Sequence, residues 1–238
     1  MSDSKVAEKE YFEALTKMSK AITSDLYLGD ILKLIVTLTA NVMKAKICAL
    51  WLLDGNTNEL KIRATQAMSE EYLQERAIKF GEGIVGLVAK EKKPIVIKDV
   101  KKDDRYYEKN LAKKEGFVSM LSVPMLVKDK VIGVINVYTV EKHEFTEVDI
   151  NLLSASANQA AVAIHNTELI VETRVIQEEL ETRKKVERAK GILMKQQNLA
   201  EEDAYKLMRK SSMDKRVSMK EIADAIVLSY EISGERYL

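Results

Sequence analysis

The apolar residues of the first forty positions recur at helical spacing. Between residues 5 and 43 they fall three or four positions apart, which places them on one face of an α-helix. The spacing is interrupted near residues 26–30, so we predict two helices, of which the first ends by residue 24. The apolar positions are Phe12, Leu15, Ile22, Leu28, Ile31, Leu34, Ile35 and Leu38.

The pattern then changes to that of β-strands. The runs KICALWLLD (46–54) and LKIRATQ (60–66) flank the turn sequence GNTNE and predict a hairpin. The run FVSMLSVPMLVKDKVIGVINVY (117–138) predicts a second hairpin. Within it, Pro124 must lie at an edge or a bulge, because proline cannot donate a hydrogen bond to a neighbouring strand.

The residues between the two hairpins predict short elements of both kinds. We expect a helix near residues 69–78 and a second helix that begins at the glycines of FGEGIVG and ends before Pro94. The run PIVIKDV after it predicts a strand. A charged loop and a further helix follow over 101–116.

One long helix is predicted from residue 147 to about residue 197. Thr146 suits the N-cap, and Asp149 is favourable in the first turn. No strong stop signal follows, although Glu172, Thr173 and Arg183 interrupt a strict heptad pattern. We therefore predict a connecting helix on which two copies pair as a short coiled coil, giving a homodimer.

Composition limits the classes of protein and site. The 238 residues suit two domains, and a net charge of +1 means that any basic patch must be local. The single cysteine, Cys48, lies in an apolar run, which predicts a buried thiol and excludes a disulfide framework. His143 and His165 form no metal-ligand spacing. We expect no metal site and no catalytic residues, since the sequence has neither a nucleophile–base pairing nor a phosphate loop.

The chain carries no targeting or membrane signal that we can identify. Its N-terminus is polar, and no apolar run approaches the roughly 18 residues of a membrane span. We expect a cytoplasmic protein that does not bind membranes.

The order of the motifs over residues 25–168 resembles the GAF domain family. The resemblance rests on GEGIVG, PIVIKDV, SVPMLVKDKVIGVINVY and the helix after FTEVD. It implies an α+β fold, in which helices flank an antiparallel sheet, and a small-molecule pocket on one face of that sheet. It names no cofactor. Family members that reduce methionine sulfoxide depend on several cysteines, which this chain lacks.

The variable stretch of this domain supplies candidate ligand-binding residues. Aromatic and polar side chains there could line the implied pocket. In the alternative interpretation, Phe80 and Phe117 belong to the core, and the loop DDRYY (103–107) is solvated. The candidates are Phe80, Asp104, Tyr107, Phe117 and Ser119.

A basic helix with a central glycine follows the connecting segment. Residues 183–195 carry six cations and one acid. At 100° per residue, Val186, Ala189 and Leu193 form an apolar stripe, and the opposite face holds Lys184, Arg188, Gly191 and Lys195.

Glycine costs a helix about 1 kcal/mol relative to alanine. On an exposed basic face, however, it allows a nucleic acid to approach closely while the cations meet phosphates. Alternatively, Gly191 relieves crowding at a dimer contact and the cations are an ordinary solvated face.

Two more helices are predicted after Asn198, which suits a left-handed position. In EEDAYKLMRKSS we expect Ala204, Leu207 and Met208 to face inward, with Tyr205 stacking on an unpaired base or completing the core. The last helix opens with a capping box, Ser218-x-x-Glu221. We expect it to bury Ile222, Ala225, Ile226 and Leu228.

Residues 178–234 resemble the ANTAR domain family, through AKGILM, EEDAYKLMRK and EIADAI. The resemblance implies that a dimer binds stem-loops in nascent RNA, so that an antiterminator forms instead of a terminator. Ala200 departs from the family, which often has a Ser or Thr N-cap there. The candidate RNA-binding residues are Lys184, Arg188, Lys190, Gly191, Lys195, Tyr205, Arg209, Lys210 and Arg216.

The sequence thus predicts an N-terminal helix (1–24), a GAF-like sensor domain (25–168), a helical connector (169–182) and a three-helix ANTAR-like RNA-binding domain (183–238). We interpret the chain as a signal-responsive transcription antitermination regulator. The main alternative is a DNA-binding helix-turn-helix regulator with a GAF sensor. A GAF-domain enzyme and a pure dimerisation scaffold are further alternatives.

Overall fold

The structure is a computed structural model that describes residues 2–67, residue 72 and residues 76–234. The chain divides into two compact units, residues 1–167 and residues 168–238. The boundary falls within one helix, and each unit has its own core.

The described part of the first unit has six strands and five helices or parts of helices. The strands form one antiparallel sheet in the order β3-β2-β1-β6-β5-β4, which confirms the predicted α+β class. The strands are β1 (Ile47–Asp54), β2 (Glu59–Thr65), β3 (Ala77–Lys79), β4 (Ile95–Ile97), β5 (Ser119–Val127) and β6 (Lys130–Thr139). The helices are α1 (Ser2–Ile22), α2 (Leu28–Val42), α3 (Gly83–Glu91), α4 (Lys109–Glu115) and the start of α5 (Glu147–Gln197).

Both faces of the sheet are buried. Cys48 and Leu50 of β1 pack with α1, α2 and α5 on one face. Ala49 and Trp51 pack with α3, α4 and the loops on the other. Successive side chains of a strand point to opposite faces, so a strand buried on both sides is apolar along its length, as β1 is from Ile47 to Leu53.

The two predicted hairpins are confirmed, as is the position of Pro124. β1 pairs with β2, and β5 pairs with β6. Strand β4 pairs with β5 only from Met120 to Ser122, so Pro124 lies beyond this pairing on an open edge of β5. The missing N–H of the proline therefore removes no hydrogen bond to β4.

The stretch before α3 differs from the prediction. Most of the helix expected near residues 69–78 lies outside the described residues. Residues 77 and 78, which we expected at the end of this helix, instead belong to the edge strand β3, which pairs with β2. Three residues are too few to show strand alternation, and the sequence therefore gave no signal for β3. Strand β4 is also shorter than the run PIVIKDV.

Helix α5 begins at a reciprocal cap. The Asp149 carboxylate accepts hydrogen bonds from the Thr146 backbone N–H (2.7 Å) and hydroxyl (2.9 Å). The Asp149 backbone N–H donates to the Thr146 hydroxyl (3.3 Å), which confirms the predicted N-cap. From there α5 is continuous for 51 residues, as predicted.

The second unit is built from the C-terminal part of α5, α6 (Glu201–Lys215) and α7 (Met219–Gly234). Asn198 has φ 51°, which confirms the predicted left-handed position. The Ser218–Glu221 capping box is also confirmed, since the Glu221 carboxylate accepts from the Ser218 N–H and hydroxyl, both at 2.8 Å. The core of this unit consists of Ala189, Leu193, Ala204, Met208, Ile222 and Ala223.

Three core predictions for α6 and α7 are wrong. Leu207 is 38% exposed, and Leu228 and Ala225 are also exposed. Only Ala204 and Met208, one turn apart, face inward from α6. Helix α7 buries Ile222 and Ala223 and half-buries Ile226 and Val227, so its apolar stripe runs on the other side of Ile222 from Ala225.

We predict that Gly133→Ala destabilises the first unit by about 2 kcal/mol or more. A Cβ at Gly133 would overlap the Trp51 carbonyl oxygen and the Met125 Cε, so the sheet would have to shift. The free energy of unfolding can be measured by urea denaturation. The control is Gly55→Ala in the β1–β2 turn, where no atom lies within 4 Å of the added Cβ. An equal effect of the two substitutions would contradict the packing described for Gly133.

Candidate nucleic-acid interface

The C-terminal part of α5 exposes one basic face. Lys184, Arg188 and Lys195 are exposed on it, and Gly191 lies between them. No atom lies within 4 Å of a Cβ placed on Gly191. The opposite side of the helix carries the buried residues Ala189 and Leu193. The structure therefore places these four residues as the helical wheel predicts, and the glycine is not needed for packing within the described part of this unit.

Lys190, another candidate RNA-binding residue, does not lie on this face. Lys190 is only 8% exposed, and its Nζ pairs with carboxylate oxygens of Glu187 (2.6 Å) and Glu201 (2.7 Å). Hydrogen bonds to Glu187 and Glu201 raise the pKa of Lys190, so it stays charged. Glu201 is the first residue of α6, whose N-cap, Ala200, provides no side-chain hydrogen bond. Lys190 thus joins the start of α6 to α5, which corrects the prediction that it is available to RNA.

Other cations of the unit also pair with carboxylates. Arg188 Nη2 lies 2.7 Å from Glu231 Oε1 of α7. Lys185 Nζ lies 2.6 Å from Asp224 Oδ1, and Lys206 Nζ lies 2.8 Å from Glu202 Oε1. Within the part of the chain that the structure describes, neither Lys184 nor Lys195 forms an ion pair. These two lysines are therefore the cations of the face that no carboxylate of the described residues neutralises.

Three predicted residues lie on or just after α6. Arg209, Lys210 and Arg216 are all exposed, and none forms an ion pair among residues 76–234. Arg216 has φ 55°, and its backbone N–H donates to the Met213 carbonyl oxygen (3.3 Å), so it ends α6 in a left-handed conformation. All three contribute positive charge to the surface of the module.

Tyr205 lies in a groove of mixed charge. It is 45% exposed and shares this shallow groove with three glutamates and two cations, and one of the glutamates, Glu187, pairs with Lys190. The groove is not basic, unlike the face of α5 around Gly191, so its charge does not favour an RNA contact through Tyr205. The groove residues are Val175, Glu178, Glu179, Thr182, Arg183, Val186, Glu187, Tyr205, Met219 and Lys220.

The first unit contains an aromatic cavity of about 360 Å³ between β3, the start of α3 and the loop before α4. Tyr106 and Tyr138 are buried in its wall, and burial raises the pKa of both phenols above their usual value, so both are neutral. Of the five ligand-binding candidates, only Tyr107 lines this cavity. Its walls include Arg76, Ile78, Ile84, Tyr106, Tyr107, Glu108, Met120 and Tyr138.

The other four candidates lie elsewhere. Phe117 is fully buried and stacks on Tyr138 with ring centroids 4.3 Å apart, and Phe80 is half-buried against the same core. The Ser119 hydroxyl donates to the Lys98 carbonyl oxygen (2.8 Å) and accepts from the His143 N–H (2.9 Å). Asp104 is exposed and pairs with Lys109 (3.4 Å). The two phenylalanines thus follow the alternative interpretation, and Ser119 is a structural residue.

Sequence reasoning missed an ion pair in the cavity wall. Arg76 Nη1 lies 2.6 Å from Glu108 Oε1, and the guanidinium lies over the Tyr72 ring at 4.5 Å. Burial disfavours the charge of Arg76, but the nearby Glu108 outweighs burial and raises its pKa. The two residues are 32 positions apart in irregular segments, where no periodicity signals a contact.

Three observations concern nucleophilic catalysis, metal binding and membrane spanning. Cys48 is fully buried, as predicted, and burial raises the pKa of its thiol well above the usual value, so it is a poor nucleophile. Among the described residues, no cluster of three or more His, Cys, Asp or Glu side chains could hold a metal ion. Within the same residues, every helix is too short or too polar to cross a membrane.

Comparison with known proteins identifies both units. The GAF domain family model matches residues 27–165, and the ANTAR domain model matches residues 174–227. The chain belongs to the GAF domain family and carries an ANTAR domain after it. Both resemblances found in the sequence are therefore confirmed.

Individual relatives agree with this assignment. The ANTAR region is similar to the transcriptional regulatory protein PdtaR of Mycobacterium tuberculosis, with 43% identity over 61 residues. That match covers 26% of this chain and 30% of PdtaR, so the chain spans less than a third of that relative.

The GAF domain of a phosphoenolpyruvate-protein phosphotransferase from Coxiella burnetii matches 69% of this chain and 98% of its own, with a TM-score of 0.63 and 22% identity. A free methionine-R-sulfoxide reductase from Neisseria meningitidis matches 67% of this chain and 91% of its own, with a TM-score of 0.58 and 19% identity. At these identities the two structures show a shared fold alone.

We predict that Gly191→Ala stabilises the ANTAR domain by about 0.5–1 kcal/mol, because alanine restricts the unfolded chain and meets no atom in the folded one. Urea denaturation followed by circular dichroism measures the change. A loss of stability would show that Gly191 has a packing role, for example against a second copy of the chain.

Proposed function

We propose that this protein is an RNA-binding transcription antitermination regulator whose ANTAR domain binds stem-loops in leader transcripts. The observation that carries the proposal is the open basic face of α5, where Lys184 and Lys195 flank a glycine with free space above it. The ANTAR match and the similarity to a transcriptional regulatory protein support the same role.

The chemistry of the face suits a folded RNA loop. Lysine and arginine side chains neutralise phosphates, and this interaction supplies most of the sequence-independent affinity. The bare helix surface at Gly191 lets the nucleic acid approach the backbone closely. Sequence-specific RNA recognition mostly targets unpaired loop bases, which a short helix can reach without entering a groove.

We further propose that the GAF domain controls this output by sensing a small molecule or a partner protein. The aromatic cavity is the candidate ligand site, because it combines an apolar floor with neutral phenols and an arginine–glutamate pair. We propose no enzymatic activity, since the one cysteine is buried and its thiol is held protonated. We place the protein in the cytoplasm, where it meets nascent transcripts.

Homodimerisation through α5 completes the proposal. Leu169, Ile176 and Leu180 are each about half exposed and recur seven and four residues apart. That spacing is the one by which two helices pair in a coiled coil, and exposed apolar side chains on it gain stability when a second copy covers them. A dimer presents two ANTAR domains to one transcript, and a signal at the GAF domain would act by changing how they are presented.

We predict that the full-length protein enriches hairpins from an RNA library with randomised loops and binds the best hairpin more tightly than duplex DNA of the same sequence at matched salt. Lys184→Ala combined with Lys195→Ala should weaken binding at least tenfold, because two phosphate contacts are lost. Fluorescence anisotropy measures the affinity. Replacing Lys17 and Lys20, two exposed lysines of α1, with alanine is the control. Equal or tighter binding of duplex DNA would favour the helix-turn-helix alternative.

We predict that Ile176→Glu converts the dimer to a monomer, because it places a charge in the paired apolar stripe. Size-exclusion chromatography with light scattering measures the mass. Val171→Glu is the matched control, since both side chains are 57% exposed but Val171 lies on a different face of α5. Dissociation by both variants, or by neither, would contradict the proposed interface.

A further inference from the structure

Helix α7 places a carboxylate at the edge of the basic face. Glu231 Oε1 accepts a hydrogen bond from Arg188 Nη2 at 2.7 Å, across 43 positions of sequence. About two turns earlier on α7, Asp224 Oδ1 lies 2.6 Å from Lys185 Nζ of α5. Acidic side chains of α7 thus occupy two cations of the basic helix, whereas Lys184 and Lys195 have no such partner among the described residues.

The Arg188–Glu231 pair can open at little cost. The two side chains are 59% and 53% exposed, so water and salt already screen their attraction. Exposed ion pairs contribute little to stability, and this pair is not needed to hold α7, which is anchored by Ile222 and Ala223 in the core. The situation of Lys190 is different, because its pairs are made by a largely buried side chain.

A phosphate and Glu231 compete for the same guanidinium. An arginine binds phosphate and carboxylate oxygens with the same donor groups, so the Nη2 donor that Glu231 occupies is open to a phosphate only when this pair breaks. While Glu231 remains nearby it also repels a phosphate at this edge of the face. The result is a lower affinity for any RNA than the cations of the face would give alone.

We propose that Glu231 is a built-in competitor of RNA: it holds Arg188 until a phosphate displaces it, and so sets the strength of binding. This inference rests on the proposed RNA-binding function and identifies a residue that neither the family match nor the helical wheel assigns.

The test compares Glu231→Gln with the wild type in anisotropy titrations of full-length protein, using the enriched hairpin and poly(U). Glutamine keeps the size of the side chain and removes its charge. We expect Glu231→Gln to bind both RNAs about three- to tenfold more tightly at low salt. We also expect the plot of log affinity against log salt to become steeper by about 0.7, because the Arg188–phosphate contact then releases a counterion with no freed carboxylate to take up a cation.

Two further variants isolate the cause. Asp214→Asn makes the same change of charge at an exposed position of α6 that forms no ion pair within residues 76–234, so it measures the general effect of net charge. In an Arg188→Ala background, Glu231→Gln should lose most of its effect, because Glu231 then has no guanidinium to hold. Circular dichroism confirms that each variant is folded.

The outcomes separate the inference from the function on which it rests. Tighter binding by Glu231→Gln that depends on Arg188 and exceeds that of Asp214→Asn supports the proposal. An unchanged affinity, an effect equal to that of Asp214→Asn, or an effect that persists without Arg188 overturns it while leaving RNA binding intact. Failure of the wild type to bind any hairpin overturns the proposed function and this inference together.

Discussion

In the ANTAR domain, one side of α5 is buried in the core and the opposite side is exposed and basic. The rest of the domain depends on this division. Ala189 and Leu193 must face α6 and α7, because the three helices have no other common core. A helix that buries one side has only the opposite side free for a partner. Lys184, Gly191 and Lys195 occupy that free side. The basic face is therefore a consequence of how the core is packed.

Carboxylates decide how much of the positive charge remains available. Residues 183–195 and 205–220 each carry six cations, which suggests a uniformly basic module, yet Lys185, Arg188 and Lys190 each pair with a glutamate or aspartate. The two ion pairs of the largely buried Lys190 support the fold at a helix start that lacks a side-chain cap. The exposed pair of Arg188 lies on the surface that RNA is proposed to meet. The same type of ion pair thus supports the fold at Lys190 and, in our proposal, tunes RNA binding at Arg188.

Periodicity and capping residues predicted much of the fold. The two hairpins, the cap at Thr146, the 51-residue helix and the turn at Asn198 were all readable, because each depends on residues close together in sequence. Strand β3 was not, because a three-residue edge strand is defined only by its partner. The inward face of α7 was misplaced because its apolar residues fit two overlapping stripes, and packing against α5 and α6 selects between them.

The same limit applies to the candidate sites: residues that share one helix were predicted, and contacts between distant segments were not. The four residues of the basic face follow from one helix alone. The role of Lys190 depends on Glu201, and that of Arg188 on Glu231, which lies 43 residues away. In the GAF domain, four of five ligand candidates lie outside the cavity, and the Arg76–Glu108 pair in its wall joins two irregular segments. Contacts between distant segments are set by the tertiary fold, which no local pattern contains.

The central claim is that the face of α5 around Gly191 is where RNA binds. Nuclear magnetic resonance of the amide-labelled full-length protein, titrated with the enriched hairpin, tests it directly. The account predicts that the Gly191 amide and those of Lys184 and Lys195 shift on binding, while the amide of Tyr205 in the mixed-charge groove does not. Shifts confined to the groove, or to the Leu169–Leu180 stripe, would contradict it.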